Sequence, residues 1–242
     1  MDDFDIQNLR LARASDSFKL HVKTNKETAM IGEGQATTFT VGMSPQNKMD
    51  VMNSTLLAQL AASGHCHRFN QTKEWYQYYS HILENIGWTV TAFNWSQASV
   101  KDSTLSLNKV ILQFLKTYLT ANQMVAVEHL IDALENTEDP VVKTFTAGAS
   151  DSHQANFQLG TCAEDEEGTI SFSMGAFTFS TSEKITNLMV TEYNTDTAMF
   201  ENAFQTMIFN PEVYGRIRAA ILDKLAQNAT DLIHELTLPS RH

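Results

Sequence analysis

The amino-acid sequence predicts an α+β fold in which helices pack on a mainly antiparallel β-sheet. Helical spacing of apolar residues dominates the middle of the first half, whereas period-two alternation dominates from Gln154 to about Tyr193. Short turns separate the alternating stretches, and short turns favour antiparallel pairing. No linker, low-complexity tract or repeat interrupts the 242 residues. We therefore predict a single three-layer domain that covers residues 1–242.

The first elements are two short strands followed by two helices. Alternation predicts strands at Phe18 to Val22 and at Thr37 to Met43. Ser44 and Pro45 then form a helix start, and this helix ends at Gly64. A second helix runs from Thr72 to Asn85, where aromatic and aliphatic residues recur at helical spacing. The β-branched and aromatic segment from Trp88 to Trp95 predicts a further strand.

The next elements are three helices, a strand and a turn. Apolar stripes predict helices at Leu107 to Tyr118 and at Met124 to Leu134. Asp139 and Pro140 open a short third segment that ends near Gly148. Alternating residues from Phe157 towards Cys162 predict a strand, and the acidic stretch that follows, EDEEG, predicts a turn.

The last part of the chain contains one ambiguous segment. Ile185 to Tyr193 is typical of a strand. Residues 197–209 fit both a helix and a strand, and their spacing favours the helix. Asn210 and Pro211 open a helix that we expect to continue past Asn228 to Leu236.

The stretch TISFSMGAFTFSTS, Thr169 to Ser182, is the most informative part of the chain. It has no charge and no proline, and its polar positions are only Ser, Thr and Gly. An ordinary half-exposed strand carries Lys or Glu at such positions. The alternation changes phase at Gly175, which predicts a β-bulge. We expect the strand to be buried against the helix at Leu107 to Tyr118, with Phe172 in the core.

Two interpretations of this strand stay open. It is either a central strand covered on both faces by helices, or a segment that later contacts lipid. About nine to eleven residues cross a bilayer as a tilted strand, so the stretch is long enough. In the second interpretation the membrane-interacting residues are Ile170, Phe172, Met174, Phe177 and Phe179.

Composition excludes one class of partner and limits another. The net charge of −11 argues against nucleic acid, whose phosphates require Lys and Arg. It also argues against purely electrostatic adhesion to anionic lipid, so any membrane contact has to rest on apolar burial. The first sixteen residues show no secretory signal, and no run is long enough for a membrane helix. We expect a chain that is soluble and cytoplasmic on synthesis, with later release or membrane association left open.

Catalytic and metal-binding motifs are missing from the sequence. It contains no G-x-S-x-G, no phosphate-binding loop and no H-E-x-x-H. His65, Cys66 and His67 form a compact cluster, but a usual metal site needs further ligands and none is near in sequence. We therefore expect no metal and no catalytic residues. The two cysteines, Cys66 and Cys162, are expected as free thiols.

The region from Trp88 to Asn210 resembles the Cyt-type cytolytic toxins. The order that carries the resemblance is an apolar helix pair, an aromatic strand ending near Cys162, an acidic turn, a strand with Gly175-Ala176-Phe177 and a strand around Leu188 to Val190. Members of that family have a mostly antiparallel sheet between helix layers. The resemblance implies that Met199 to Phe209 is a strand, against the helical spacing noted above.

The chain is also similar to the virulence factor Evf of plant-pathogenic bacteria. Members of that family are lipoproteins in which a fatty acid, such as palmitate, is attached to a cysteine by a thioester bond. The resemblance implies Cys162 as the lipid attachment site and a covalent acyl chain as the only bound group. Cys162 ends a strand beside apolar helices, whereas Cys66 lies in a loop with His65, His67 and Arg68 and is expected to lack apolar cover.

Three functions follow as hypotheses. The first is a lipid- or membrane-interacting protein of virulence or toxin type, with membrane lipid or a fatty acid as partner and with self-association. The second is an intracellular binding module without catalysis. The third is an enzyme with a dispersed active site, which only the size and the α/β composition support.

Overall fold

The computed structural model describes residues 4–13, 28–91, 93–97, 104–228, 233–236 and 238. Within them a central sheet lies between two layers of helices, which is the α+β architecture that the sequence predicts. The strand predicted at Phe18 to Val22 lies outside the described residues.

Except for the end of the C-terminal helix, the helices begin and end close to the predicted positions. They are α1 (Pro45–His65), α2 (Thr72–Asn85), α3 (Leu107–Leu115), α4 (Ala121–Leu134), α5 (Pro140–Ala149) and α6 (Pro211–Asn228). Local signals explain the agreement, because capping residues fix helix starts without help from the rest of the chain. The side chain of Ser44, for example, accepts a hydrogen bond from the Asn47 N–H at 3.0 Å. No helix in the described ranges is long and apolar enough to cross a membrane.

The strands form one large sheet and one small one. They are β1 (Thr28–Gly32), β2 (Gln35–Phe39), β3 (Trp88–Thr89), β4 (Ser96–Gln97), β5 (Thr104–Ser106), β6 (Gln154–Glu164), β7 (Ile170–Ser180), β8 (Glu192–Asn194), β9 (Met199–Phe209) and β10 (His234–Leu236). The large sheet has the order β10-β1-β2-β6-β7-β9-β3, and β4 also pairs with β9. Its pairs are antiparallel except β2 with β6. The strands β5 and β8 pair separately.

The two helix layers cover opposite faces of the large sheet. Helices α1, α2 and α6 contribute to one apolar cluster, and α3, α4 and α5 contribute to the other. We call them the α1 layer and the α3 layer. The strand β7 lies between β6 and β9 and is covered on both faces, so the first interpretation of the uncharged stretch describes the folded structure.

The predicted β-bulge is wrong. The strand β7 pairs residue for residue with β6 and with β9, without interruption at Gly175. The change of phase has another cause. Ile170, Phe172 and Met174 face the α1 layer, whereas Phe177 and Phe179 face the α3 layer. The bulky side chains in the first half of β7 therefore pack against the α1 layer, and those in the second half pack against the α3 layer.

The strand β7 packs against α3 as expected, but Phe172 does not face that helix. The helix α3 packs on the other face, where the Phe114 and Phe177 ring centroids are 5.9 Å apart. Phe172 is fully buried, but it contacts the α1 layer, and its ring centroid lies 6.3 Å from that of Trp88.

Four other predictions also fail. Residues 197–209 are a strand, as the toxin resemblance implies and the spacing does not, because both faces of β9 are buried in part. The predicted strands at Trp88 to Trp95 and at Ile185 to Tyr193 are reduced to β3 and β8. In the second segment the Asn187 side chain accepts hydrogen bonds from the N–H groups of Met189 and Val190, which forms a turn. The C-terminal helix does not reach Leu236, since residues 234–236 pair with β1.

Candidate functional site

The face of the sheet under the α1 layer has an apolar end near the acidic turn. Cys162 of β6 lies there, between its register partners Phe39 of β2 and Phe172 of β7. All three side chains are buried in one cluster. Burial, assisted by the nearby Glu164 carboxylate, raises the pKa of the Cys162 thiol well above its ordinary value. The thiol is therefore neutral, and it is a small apolar group in the closed structure.

The other cysteine lies in a similar environment, against expectation. Cys66 follows α1, is 8% exposed, and belongs to the same apolar cluster as Cys162. The extended backbone at this position makes burial alternate, so His65 and His67 are exposed while Cys66 and Arg68 point inwards. The expectation that Cys66 lacks apolar cover is wrong. Within the described residues no three potential metal ligands come together.

The structure does not bring the five predicted membrane-interacting residues together on one surface. Ile170, Phe172 and Met174 lie under the α1 layer, and Phe177 and Phe179 lie under the α3 layer. All five are at most 2% exposed. Any contact between these side chains and lipid requires a helix layer to move away from the sheet.

Charge is nearly missing from the centre of the sheet. The adjacent strands β6, β7 and β9 each have eleven residues. Their charged residues are Glu164, the last residue of β6, and Glu201, the third residue of β9. The strand β7 has none.

The opposite end of the same face is polar, which the sequence analysis did not predict. Amide side chains from three strands point towards the α1 layer, and polar side chains from α1, α2 and the loop between them meet these amides. We call this set the buried polar cluster. Its members are Gln35, Thr55, Gln59, Arg68, Tyr76, Tyr79, Asn156, Gln158 and Gln205.

Arg68 is the centre of the buried polar cluster. Its Nη1 donates to the Glu33 carbonyl oxygen at 2.6 Å, and its Nη2 donates to the Asn156 carbonyl oxygen at 2.9 Å. The guanidinium also lies 4.9 Å from the Trp75 ring centroid. Burial lowers the pKa of Arg68, while Tyr76 and Glu33 raise it. The approach of Glu33 depends on Gly34, since a Cβ at Gly34 would lie 2.9 Å from Nη2.

Asn156 ties the same loop to β6 through its side chain. Its Nδ2 donates to the Arg68 carbonyl oxygen at 3.0 Å, and its Oδ1 accepts from the Tyr76 hydroxyl at 2.8 Å. The strand, the loop and α2 are thus joined by reciprocal hydrogen bonds. Such a network fixes one arrangement of the α1 layer on the sheet.

Several other polar atoms of the cluster have no protein partner. Within the described part of the chain these are Gln59 Oε1, Arg68 Nε, the Tyr79 hydroxyl, and both amide atoms of Gln205. Most buried polar atoms in folded proteins are paired with protein or with ordered water. A sequence signal existed: Asn156 and Gln158 are in phase with Cys162 on β6, so period two already places them on an interior face.

A cleft of about 420 Å³ lies on the outer side of α2. The helix forms one wall with Lys73, Gln77, Ser80, His81 and Glu84, and the extended segment after β3 forms the other with Thr91, Phe93 and Trp95. Tyr76 forms the floor. Its ring centroid is 4.7 Å from that of Phe93 and 5.0 Å from that of Trp95.

Comparisons with known proteins give matches in fold only. No protein-family model matches the chain, and no curated protein matches its sequence. A δ-endotoxin structure matches with a TM-score of 0.44 and 11% identity, covering 81% of this chain and 88% of that one.

Two further solved structures match over most of their length. The activated Cyt2Ba monomer from Bacillus thuringiensis subsp. israelensis has a TM-score of 0.41 and 14% identity, covering 72% of this chain and 96% of that one. The Evf virulence factor has a TM-score of 0.40 and 12% identity, covering 94% of this chain and 89% of that one. A Cyt protein and Evf, the two kinds of protein that the sequence resembles, are thus among the matches.

Proposed function

We propose that this protein is a toxin- or virulence-type protein that inserts its central strands into lipid. The observation that carries the proposal is the set of three adjacent strands β6, β7 and β9, which have eleven residues each and only two charged residues between them. Eleven residues suffice for a tilted strand to cross the hydrocarbon core, which needs about nine to eleven. With a net charge of −11, apolar burial is the driving force.

The α3 layer is the one that we expect to leave the sheet. Its contacts with the sheet are apolar, as in the packing of Phe114 of α3 on Phe177 and of Phe145 of α5 on Phe157. In water these contacts are held by the hydrophobic effect. Lipid tails are as apolar as the side chains, so the same contacts lose that driving force at a membrane. The hydrogen bonds of Arg68 and Asn156 under the α1 layer, by contrast, become stronger as water is removed.

Insertion also requires self-association. Backbone groups at an open sheet edge cannot remain unpaired in hydrocarbon. The outer edge of β9 pairs with β3 at Ile208 and Phe209 and with β4 at Glu201 and Asn202. Between them, residues 203–207 have no strand partner on that side within the described residues. A second copy of the chain supplies such a partner in the proposed membrane state.

Cross-linking tests which layer moves. Tyr118 and Phe204 join the α3 side to β9, with ring centroids 4.4 Å apart. Replacing both with Cys and joining them with a short, cleavable bis-maleimide should abolish dye release from neutral liposomes, and cleavage should restore it. The native cysteines are buried and should react poorly with the reagent.

The matched control joins the other layer to the same strand. Lys73 of α2 and Glu201 of β9 form an ion pair at 4.0 Å, and cysteines at these positions can be joined in the same way. This second tether should leave dye release intact. Release that survives the first tether contradicts the proposed movement. A chain that neither releases dye nor floats with any lipid favours the binding-module hypothesis.

We also propose that Cys162 carries a fatty acyl chain. Its apolar surroundings support this assignment, because each buried methylene contributes about 0.8 kcal/mol. The thiol would displace the thiol of an activated acyl thioester, which leaves with the proton. Since the sulfur is fully buried, acylation has to precede closure of the α1 layer.

Intact-mass analysis tests the acyl proposal. Protein from its native producer should show an acyl mass that hydroxylamine removes, and Cys162→Ser should lack it. Cys66→Ser is the matched control, since Cys66 lies in the same apolar cluster. The bare chain mass, or an adduct that disappears in Cys66→Ser instead, contradicts this assignment.

A further inference from the structure

The cleft beside α2 has two walls of different chemistry. Phe93 and Trp95 are half-buried, alternate along an extended segment, and rest on the Tyr76 ring. Their ring centroids are 6.2 Å apart and their planes are 29° apart, so the two rings form one aromatic wall of the cleft. Half-exposed aromatic rings of this kind offer an apolar platform with a polar handle at Trp95 Nε1.

The opposite wall is a polar stripe on one helix face. Gln77, Ser80 and Glu84 are spaced by three and four residues, which places them one above another along α2. Within the described part of the chain their side chains make no hydrogen bond to protein. An amide, a hydroxyl and a carboxylate in a row provide both donors and acceptors.

The charge and polarity of the cleft lining disfavour two classes of ligand. Lys73 already pairs with Glu201 at 4.0 Å, and Glu84 is acidic, so besides the imidazole of His81 a phosphate group would find no free lysine and one repelling carboxylate. A fatty acyl chain would fit the aromatic wall but would leave the polar wall without partners, which lowers affinity. The ligand must be neutral, with one apolar face and one polar edge.

We propose that this cleft binds a neutral pyranoside. A pyranose ring has a face of C–H groups, which packs on Phe93 and Trp95, and a rim of hydroxyl groups, which exchange hydrogen bonds with Gln77, Ser80 and Glu84. The cleft volume of about 420 Å³ falls within the roughly 300–1,000 Å³ of small-molecule sites.

The sugar site is separate from the proposed lipid contact. It lies on the outside of the α1 layer, whereas the surface proposed to meet lipid is exposed when the α3 layer leaves. The same ring chemistry occurs in free glycosides and in the head groups of glycolipids. Sugar binding and dye release can therefore be tested independently, and failure of one leaves the other unaffected.

Saturation-transfer NMR tests the proposal with the full chain. The probes are the methyl glycosides of glucose, galactose, mannose and N-acetylglucosamine, with phosphocholine and decanoate as the charged and apolar alternatives. At least one glycoside should receive saturation, and Trp95→Ala should weaken its binding about tenfold or more. Tyr118→Ala removes an exposed aromatic ring from the α3 side and should leave binding unchanged.

A second variant covers the case in which Trp95→Ala fails to fold. Gln77 is an exposed helix residue, so Gln77→Leu should fold and should weaken glycoside binding by about three- to tenfold through the loss of hydrogen bonds. Vesicles with and without a glycolipid that bears the bound sugar then separate the two sources: binding only to glycolipid vesicles assigns the head group. No saturation of any glycoside, or saturation of phosphocholine or decanoate alone, overturns the proposal.

Discussion

The two faces of the large sheet are held by different forces. Under the α3 layer the contacts are aromatic and aliphatic: the Phe114 ring centroid of α3 lies 5.9 Å from that of Phe177, and the Phe145 ring centroid of α5 lies 6.2 Å from that of Phe157. Under the polar end of the α1 layer, hydrogen bonds of Arg68 and Asn156 take the place of such contacts. Apolar packing is strong but not directional. The polar network is directional, so it fixes position more than it adds stability.

The two layers should therefore be sensitive to different solution conditions. The attachment of the α3 layer should depend on solvent polarity, because its contacts with the sheet rest mainly on the hydrophobic effect. The α1 layer should respond to proton concentration, because most of the buried titratable groups with shifted pKa values lie beneath it. These include Cys66, Cys162, Tyr76, Tyr79 and Tyr214.

The largest effect is expected from cutting the aromatic core on either face of β7. Phe177→Ala should lower the free energy of unfolding by about 3–5 kcal/mol through lost transfer energy and a cavity. Phe172→Ala, on the other face, should cost a similar amount, since both rings are fully buried. Denaturant titration measures both. A loss below about 1 kcal/mol for either variant contradicts its burial.

The same variants test whether the chain is a single domain. If the two layers and the sheet unfold together, calorimetry shows one transition that both substitutions shift to lower temperature. Two peaks, of which each substitution moves only one, would mean that the layers unfold separately.

Removal of the buried guanidinium should be the next largest effect. Arg68→Met keeps an apolar chain over Trp75 but leaves the Glu33 and Asn156 carbonyl oxygens without donors. We expect a loss of about 2–3 kcal/mol, because relief of the desolvation of the charge offsets part of the lost hydrogen bonding. Denaturant titration at neutral pH measures it. A stability equal to that of the unchanged chain would mean that the network contributes nothing net.

Alkaline pH should weaken the α1 layer selectively. Burial raises the pKa of Tyr79 well above its ordinary value. Its stabilising contribution is complete below the unfolded pKa of about 10 and falls as pH rises above it, because only the unfolded chain ionises. Above that pH, each tyrosine that stays neutral only in the folded chain lowers the free energy of unfolding by about 1.4 kcal/mol per pH unit. Tyr79→Phe should reduce this loss by about that amount at pH 11, measured as the difference between denaturation curves at pH 8 and pH 11.

Tyr118→Phe is the control for the alkaline experiment. Tyr118 is 54% exposed on the α3 side, so this substitution removes the same hydroxyl group from outside the α1 layer. An equal effect of both substitutions would rule out a special role for the α1 layer.

The smallest effect concerns the unpartnered amide of Gln205. Gln205→Leu should change stability by less than about 1 kcal/mol or raise it, because no protein hydrogen bond is lost and a buried polar group is removed. Asn156→Leu is the matched comparison and should be clearly destabilising, since both side-chain atoms of Asn156 are bonded. A large loss in Gln205→Leu would indicate a partner for this amide, such as ordered water.

The sequence predicts those elements whose signals are local. The limits of α2, Thr72 and Asn85, follow from residues within and beside the helix. The strand β9 could not be predicted from spacing, because it is buried on both faces and Phe200, Phe204 and Met207 lose the simple alternation of a half-exposed strand. The order of elements in the resembling family succeeded there, since it carries non-local information.

The candidate sites follow the same division. Burial of Cys162 is predictable from the apolar residues beside it in sequence. The burial of Cys66 is not predictable in this way. It depends on how the chain packs against the α1 layer after the end of α1, which is a non-local contact. The buried polar cluster depends on contacts between residues that are far apart in sequence, such as Arg68 and Asn156. No local sequence pattern predicts these contacts.

The pairing of β1 with β10 has a consequence for how the chain is made. Ala29 lies opposite Leu236, so the backbone groups on one edge of β1 stay unpaired until a strand some 200 residues later has been synthesised. At about 5–20 residues per second, that delay is roughly 10–40 s. During this time the nascent chain carries an open strand edge, which is a template for pairing with other chains. Slow translation therefore raises the hazard of misassembly, and a chaperone that shields β1 during synthesis should increase the yield of folded protein.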